Sequence, residues 1–337
     1  MFIEWRFYNA LVNPPGVFEY GGGICAVDSV YDRRLQTAIH LLVEEGRAAV
    51  IDTGTAHAVP HVLAALAAKG IAPGEVDYVI LTHVHLDHAG AAGQLMARFP
   101  NARLTVHPRG ARHVADPSRL LAATVAIYGA AEARRIYGEV LPVPRERIVE
   151  TPDGARLRLA GRELLFLDAP GHARHHVVIR DGATGHFFAG DTFGLSYREL
   201  DVDGRQFSFP TTSPSQFDPP ALHRSVERML AFGPEALYVT HFGRLTGPTA
   251  LAADLHRLID AHVALAERHR HAGAARKRLL VEGVRSLVLA ESARQGWRLP
   301  SEKLLEVFAL DIELNAQGLD AWLSTEGEPG EKTPKPL

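Results

Sequence analysis

In the stretch Thr82-His83-Val84-His85-Leu86-Asp87-His88-Ala89-Gly90, three imidazoles and a carboxylate fall within six positions. The apolar run Val79-Ile80-Leu81 before it reads as a buried strand, and Ala91–Phe99 after it reads as a helix. In an extended segment, side chains two apart point the same way, so His83 and His85 can grip one ion. As the chain turns into the helix, Asp87 and His88 swing to another side and can grip a second. Imidazole nitrogen with carboxylate oxygen suits borderline divalent metals. A His-rich surface loop is the bland alternative, and it does not account for the further ligand-bearing turns downstream.

The motif resembles the His-x-His-x-Asp-His signature of the metallo-β-lactamase fold family. Three later turns have counterparts in that family: Pro170-Gly171-His172, Ala189-Gly190-Asp191-Thr192 and Thr240-His241-Phe242-Gly243. They are expected to follow strands at Leu164–Asp168, His186–Phe188 and Ala236–Val239. The resemblance implies an α/β fold, a four-layer αββα sandwich. It also implies that His83, His85 and His172 hold one metal, that Asp87, His88 and His241 hold another, and that Asp191 bridges them. Asp52 and His176 match family positions just behind the ligands. Asp52 would orient a ligand imidazole, with an Asx turn cap as the equal alternative. His175 reads as a bystander, and His57 and His61 as surface residues.

The 337 residues can bury a substantial core. A formal net charge of -3 gives no electrostatic reason to expect nucleic acid or an anionic membrane as partner. The lone cysteine, Cys25, excludes an internal disulfide framework and suits a reducing cytoplasm. It lies in an apolar stretch and reads as a core residue. The first residues lack a secretory pattern, which again points to the cytoplasm.

Along the chain, residues 1–23 read as a loop-rich approach. A hairpin follows, with strands Ala38–Val43 and Ala48–Ile51, and then a helix over Ala58–Lys69. Leu120–Tyr137 reads as one Ala-rich helical insertion whose Tyr128, Ile136 and Tyr137 read first as packing against the core and second as a substrate-facing lid. Phe193–Pro220 reads as a loop that shapes a substrate pocket, with Tyr197 and Arg198 as substrate-binding candidates and Phe207 and Phe209 beside them. After residue 246 the chain reads as an all-helical C-terminal extension, 247–323. Its three helical stretches are Thr249–His271, Ala274–Gln295 and Ser301–Leu323. A disordered tail is expected at 324–337. Arg276, Lys277 and Arg278 read first as a solvated helix corner and second as an anchor for an anionic substrate tail.

Two divalent cations, zinc first and iron or manganese next, would activate a bridging water, so no Ser or Cys nucleophile is needed. Asp191 could also take that water's proton, and Asp87 belongs to the same reacting cluster. Among subfamilies, glyoxalase II and its thioesterase relatives share the full ligand set and a helical extension. The reading is therefore a binuclear hydrolase of a small thioester or ester. A mononuclear iron persulfide dioxygenase and a lactonase are the runners-up, and a binding protein with a relict site comes last. The expected partner is a small-molecule substrate, and the C-terminal helices leave room for a homodimer.

Overall fold

The computed structural model describes residues 16–212 and 216–325, apart from the side chains of Ile127 and Tyr128. The expected tail at 326–337, most of the N-terminal approach and the Tyr128 side chain lie outside that set. By compactness the chain divides into two units. The first takes in 16–168, 175–190 and 232–248; the second takes in 169–174, 191–231 and the chain from 249 on.

The first unit is built on two sheets. Strands β1 (Val17–Gly21), β2 (Ile24–Asp28), β3 (Ala38–Glu44), β4 (Arg47–Ile51), β5 (Val76–Ile80), β6 (Arg103–Val106) and β7 (Ile148–Glu150) follow one another in order across one sheet. Strands β8 (Arg156–Leu159), β9 (Arg162–Asp168), β10 (Val177–Asp181), β11 (Phe187–Leu195), β12 (Ala236–His241) and β13 (Gly243–Thr246) form the other. β1 to β4 pair antiparallel, and β4 to β7 pair parallel. β1 falls where sequence alone suggested loop. Its Phe18 and Tyr20 turn toward the protein while Glu19 faces out, an alternation too short to stand out beside the neighbouring glycines.

Period-two alternation assigns the faces of the first sheet. Ile24, Leu42, Ala49, Ile51 and Ile80 pack against Leu164, Phe166, Val177, Ile179 and Phe188 of the second sheet. Their neighbours Cys25, Leu41, Val50 and Val79 point the opposite way. There they meet α1 (Val59–Ala68), α3 (Ala92–Arg98) and α4 (Pro108–Ala115), the short α2 (Leu86–Ala89) lying between the first two in sequence. Each fully buried Leu, Ile or Val contributes about 1.5–3 kcal/mol. The β3–β4 hairpin turns on Glu45 and Gly46, both at positive φ, as a two-residue hairpin of this twist requires.

The insertion expected as one helix is two, α5 (Ser118–Tyr128) and α6 (Ala130–Tyr137). Gly129 separates them at φ 78°, outside the helical region. Helical periodicity on both sides had concealed that break.

The second unit carries α7 (Pro219–Leu230), α8 (Pro248–Arg268), α9 (Arg276–Gln295), α10 (Ser301–Val307) and α11 (Ala309–Thr325). The stretch expected over 301–323 breaks at Phe308, and its last helix runs on through Ser324 and Thr325. Phe308 is fully buried in an aromatic cluster with Tyr197, Phe207, Phe209 and Trp297. Asn315 binds this unit's loop from two sides. Its Oδ1 accepts from Thr212 N at 2.6 Å, and its Nδ2 donates to Pro210 O at 3.1 Å. Arg276 is held at 2.5 Å by Asp320, so this member of the basic corner ties α9 to α11. No helix among the described residues is long and apolar enough to cross a membrane.

Candidate metal centre

Strand β5 ends at Ile80, and the ligand motif fills the turn before and within α2. His83 and His85 do face each other, with His83 Nε2 and His85 Nδ1 2.9 Å apart. Asp87 and His88 meet not each other alone but also His241, at the end of β12. His88 Nε2 and His241 Nε2 each lie 3.4 Å from Asp87 Oδ2. One ligand atom from each of the three falls within 4.8 Å of the others.

The other ring nitrogen of each histidine is held by the protein. His88 Nδ1 lies 2.8 Å from Asp52 Oδ2. His241 Nδ1 donates to the Gln36 carbonyl at 3.0 Å. These acceptors place the proton on Nδ1 and leave the Nε2 lone pairs toward Asp87. Asp52 is thus the orienting group, and it is also fastened in place. It accepts from Thr82 N, from Thr82 Oγ1 and from Thr240 Oγ1. Asp52 itself sits at φ 58°, a left-handed conformation that Asp tolerates better than most residues.

A carboxylate oxygen facing two buried imidazole Nε2 lone pairs is a fitting donor set for a borderline divalent cation. The donors present therefore fit the metal that the motif implies.

His176 is buried, with its ring stacked on that of His83 at 4.8 Å. His175, which joins none of the ligand clusters among the described residues, is buried as well. It is 7% exposed, 6.2 Å from the His83 ring and 5.8 Å from that of His85. His57 and His61 are exposed, as expected. Cys25 is fully buried, and burial pushes its thiol up to about 11.

The second unit places His172 and Asp191 together. His172 Nε2 lies 3.6 Å from Asp191 Oδ2, and its Nδ1 is 3.1 Å from the carbonyl of Thr211. This repeats the pattern of an anchored Nδ1 and an Nε2 turned to a carboxylate. Asp191 stands within β11, not in a turn after a strand, because β11 continues to Leu195. His241 likewise closes β12. Gly171 lets the His172 turn approach α7: a Cβ there would lie 2.3 Å from Leu222 Cα.

The aromatic loop does not present Tyr197 to a substrate. Tyr197 is fully buried and donates from its hydroxyl to Asp311 Oδ2 at 2.9 Å. Phe207 and Phe209 pack on the C-terminal helices, with Phe207 4.7 Å from the Trp297 ring. Arg198 folds back onto the Ser196 carbonyl and Asp201. An exposed-looking polar and aromatic loop thus serves as the lining between β11 and the helices of its own unit.

Sequence reasoning passed over Thr82, Thr240, Gln36 and Thr211, which hold the ligands or their orienting carboxylate. Two of them carry a local signal: Thr82 and Thr240 each directly precede a ligand histidine.

Comparisons with known proteins bear on the family and the fold. The family described as Metallo-beta-lactamase superfamily matches residues 32–241. A protein named hydroxyacylglutathione hydrolase from Xanthomonas axonopodis pv. citri (strain 306) is 30% identical over 198 residues. That match covers 58% of this chain and 56% of the relative, so the chain spans little more than half the length of that relative. Among solved structures, a metallo-beta-lactamase family protein from Thermus thermophilus superposes with a TM-score of 0.61 at 21% identity, covering 91% of this chain and 96% of its own. An archaeal metallo-beta-lactamase superfamily protein from Sulfolobus tokodaii does so with a TM-score of 0.59 at 18% identity, covering 89% and 99%. These two likenesses bear out the fold, an αββα sandwich with C-terminal helices.

Proposed function

Since the chain belongs to the metallo-beta-lactamase superfamily, we propose that it is a binuclear metal-dependent hydrolase of a small thioester or ester, in the manner of hydroxyacylglutathione hydrolase. The observation that carries the reading is the cluster of Asp87, His88 and His241, in which both histidines have Nδ1 anchored and Nε2 turned to the carboxylate. The family's motif order assigns His83, His85 and His172 to one metal, Asp87, His88 and His241 to the other, and Asp191 to both. Divalent cations held there would polarise a carbonyl and lower the pKa of a water near neutrality.

The chain's own residues supply orientation and charge. Asp52 holds the His88 proton on Nδ1 and keeps that ring from turning. The Gln36 carbonyl does the same for His241, and the Thr211 carbonyl for His172. With anchors already made, few rotamers need freezing when a cation arrives. Asp87 and Asp191 bring negative charge that offsets the cations, and Asp191 is the residue we assign to receive a proton. Because Cys25 is buried and its thiol protonated, it is left out of the reaction.

Metal analysis of the purified protein alongside a substrate panel tests this. The expected result is about two equivalents of zinc, manganese or iron, with cleavage of a 2-hydroxyacyl thioester of glutathione. Asp87→Ala should lose at least one equivalent and most turnover. A protein that saturates at one iron and consumes oxygen with a glutathione persulfide would transfer the reading to the dioxygenase class.

A further inference from the structure

Helices α7 and α8 of the second unit carry the same short pattern, a histidine followed four residues later by a carboxylate: His223 and Glu227 on α7, His256 and Asp260 on α8. Residues four apart share a helix face. The four side chains interlock crosswise. His223 Nε2 lies 3.1 Å from Asp260 Oδ1, and His256 Nε2 lies 2.7 Å from Glu227 Oε1. The two rings stack, with centroids 4.8 Å apart and an interplanar angle of 23°, and their Nδ1 atoms are 2.5 Å apart.

This arrangement has an electrostatic consequence. An ionised carboxylate only accepts hydrogen bonds, so each histidine must present N–H at Nε2. In neutral imidazole the lone pair is then on Nδ1, and the two lone pairs point at one another. Two such acceptors do not settle side by side unless an electrophile lies between them.

We propose that His223 and His256 form a binding site for a borderline divalent cation of the zinc type, coordinated through their Nδ1 atoms and backed by Asp260 and Glu227. Two imidazole nitrogens suit such a cation, with water completing the shell. At about 2.0–2.1 Å per bond, the two nitrogens must part to roughly 3 Å. The half-exposed rings, 29% and 22% accessible, stand on separate helices and can make that adjustment. The carboxylates are more open still, at 74% and 65%, so a cation has a path from solvent. Bound there, it would cross-link α7 to α8.

The test is a calorimetric titration of zinc chloride into protein already loaded at its family site, repeated on His223→Gln/His256→Gln and on Asp260→Asn and Glu227→Gln. Wild type should take up one further equivalent that the double variant lacks. Each carboxylate variant should bind that equivalent about tenfold or more weakly. Thermal midpoints with and without added zinc give the second readout, with a rise in wild type that the double variant loses. Turnover of the loaded double variant should match wild type and certify its fold; the single variants His223→Gln and His256→Gln serve the same test if it misfolds. Equal zinc uptake in wild type and variants would overturn the proposal. So would a wild-type midpoint that responds to pH through His223 and His256 but not to zinc, because the electrophile would then be only a proton.

Discussion

His88 Nδ1 lies 2.8 Å from Asp52 Oδ2, and both side chains are almost wholly buried. The carboxylate also takes Thr82 and Thr240, so one aspartate ties the turn after β4, the motif after β5 and the end of β12. The position of a ligand ring and the joining of three strand ends therefore depend on a single side chain. Asp52→Ala should leave Thr82 N and His88 Nδ1 without their acceptor, at about 1–3 kcal/mol each. Metal affinity should fall about 10–100-fold. Competition with a chelator measures it, and wild-type retention of metal would refute the orienting role.

Gly171 is the residue that admits the His172 turn against α7. It sits at φ 133°, and an added Cβ would strike the Leu222 backbone at 2.3 and 2.4 Å. Gly171→Ala should cost about 2–4 kcal/mol, combining backbone strain with overpacking. Gly46→Ala is the control, since Gly46 shares a positive φ but has nothing within 4 Å of the added carbon. Its cost should stay near about 1 kcal/mol. Similar denaturant midpoints for the two variants would show that the close approach is of no consequence.

Burial pushes the His262 imidazole down to about 4, even though its Nδ1 donates to the Leu258 carbonyl at 2.7 Å. The folded pKa lies below the unfolded value near 6.5. Between these values the unfolded chain binds more protons, so stability is full above about pH 6.5 and falls as the pH drops toward 4. Between pH 7 and pH 5 the loss from this residue is about 2 kcal/mol. His262→Phe, facing the Phe209 ring 5.3 Å away, should flatten that part of the profile. Denaturant midpoints at the two pH values decide it; an unchanged slope in the variant would assign the acid sensitivity elsewhere.

Cys25 should resist alkylation in the native protein at pH 8, where a thiol near 11 is about one part in a thousand thiolate. One equivalent should react once guanidinium unfolds the chain. Cys25→Ala should leave turnover unchanged. Inactivation by a thiol reagent that this variant escapes would give the cysteine a part in the chemistry.

Sequence by itself determined the chemistry that the chain can hold. Spacing set His83 beside His85 and put Asp87 and His88 on a new side, because two-residue and helical periods are local properties of the backbone. The hairpin of Ala38–Val43 and Ala48–Ile51 is legible in the same way, but which side chains of β3 and β4 face which layer is not, since both faces are apolar and buried. Tertiary structure decided what those residues touch. That Asp52 orients His88, that Gln36 holds His241 and that Thr211 holds His172 all depend on partners 36, 205 and 39 positions apart in the chain. The burial of Tyr197 against Asp311 and the stacking of His223 on His256 are of the same kind. Periodicity carries no information about such pairs. They form because a buried polar group must find an acceptor or donor wherever packing brings one, and packing is a property of the whole chain.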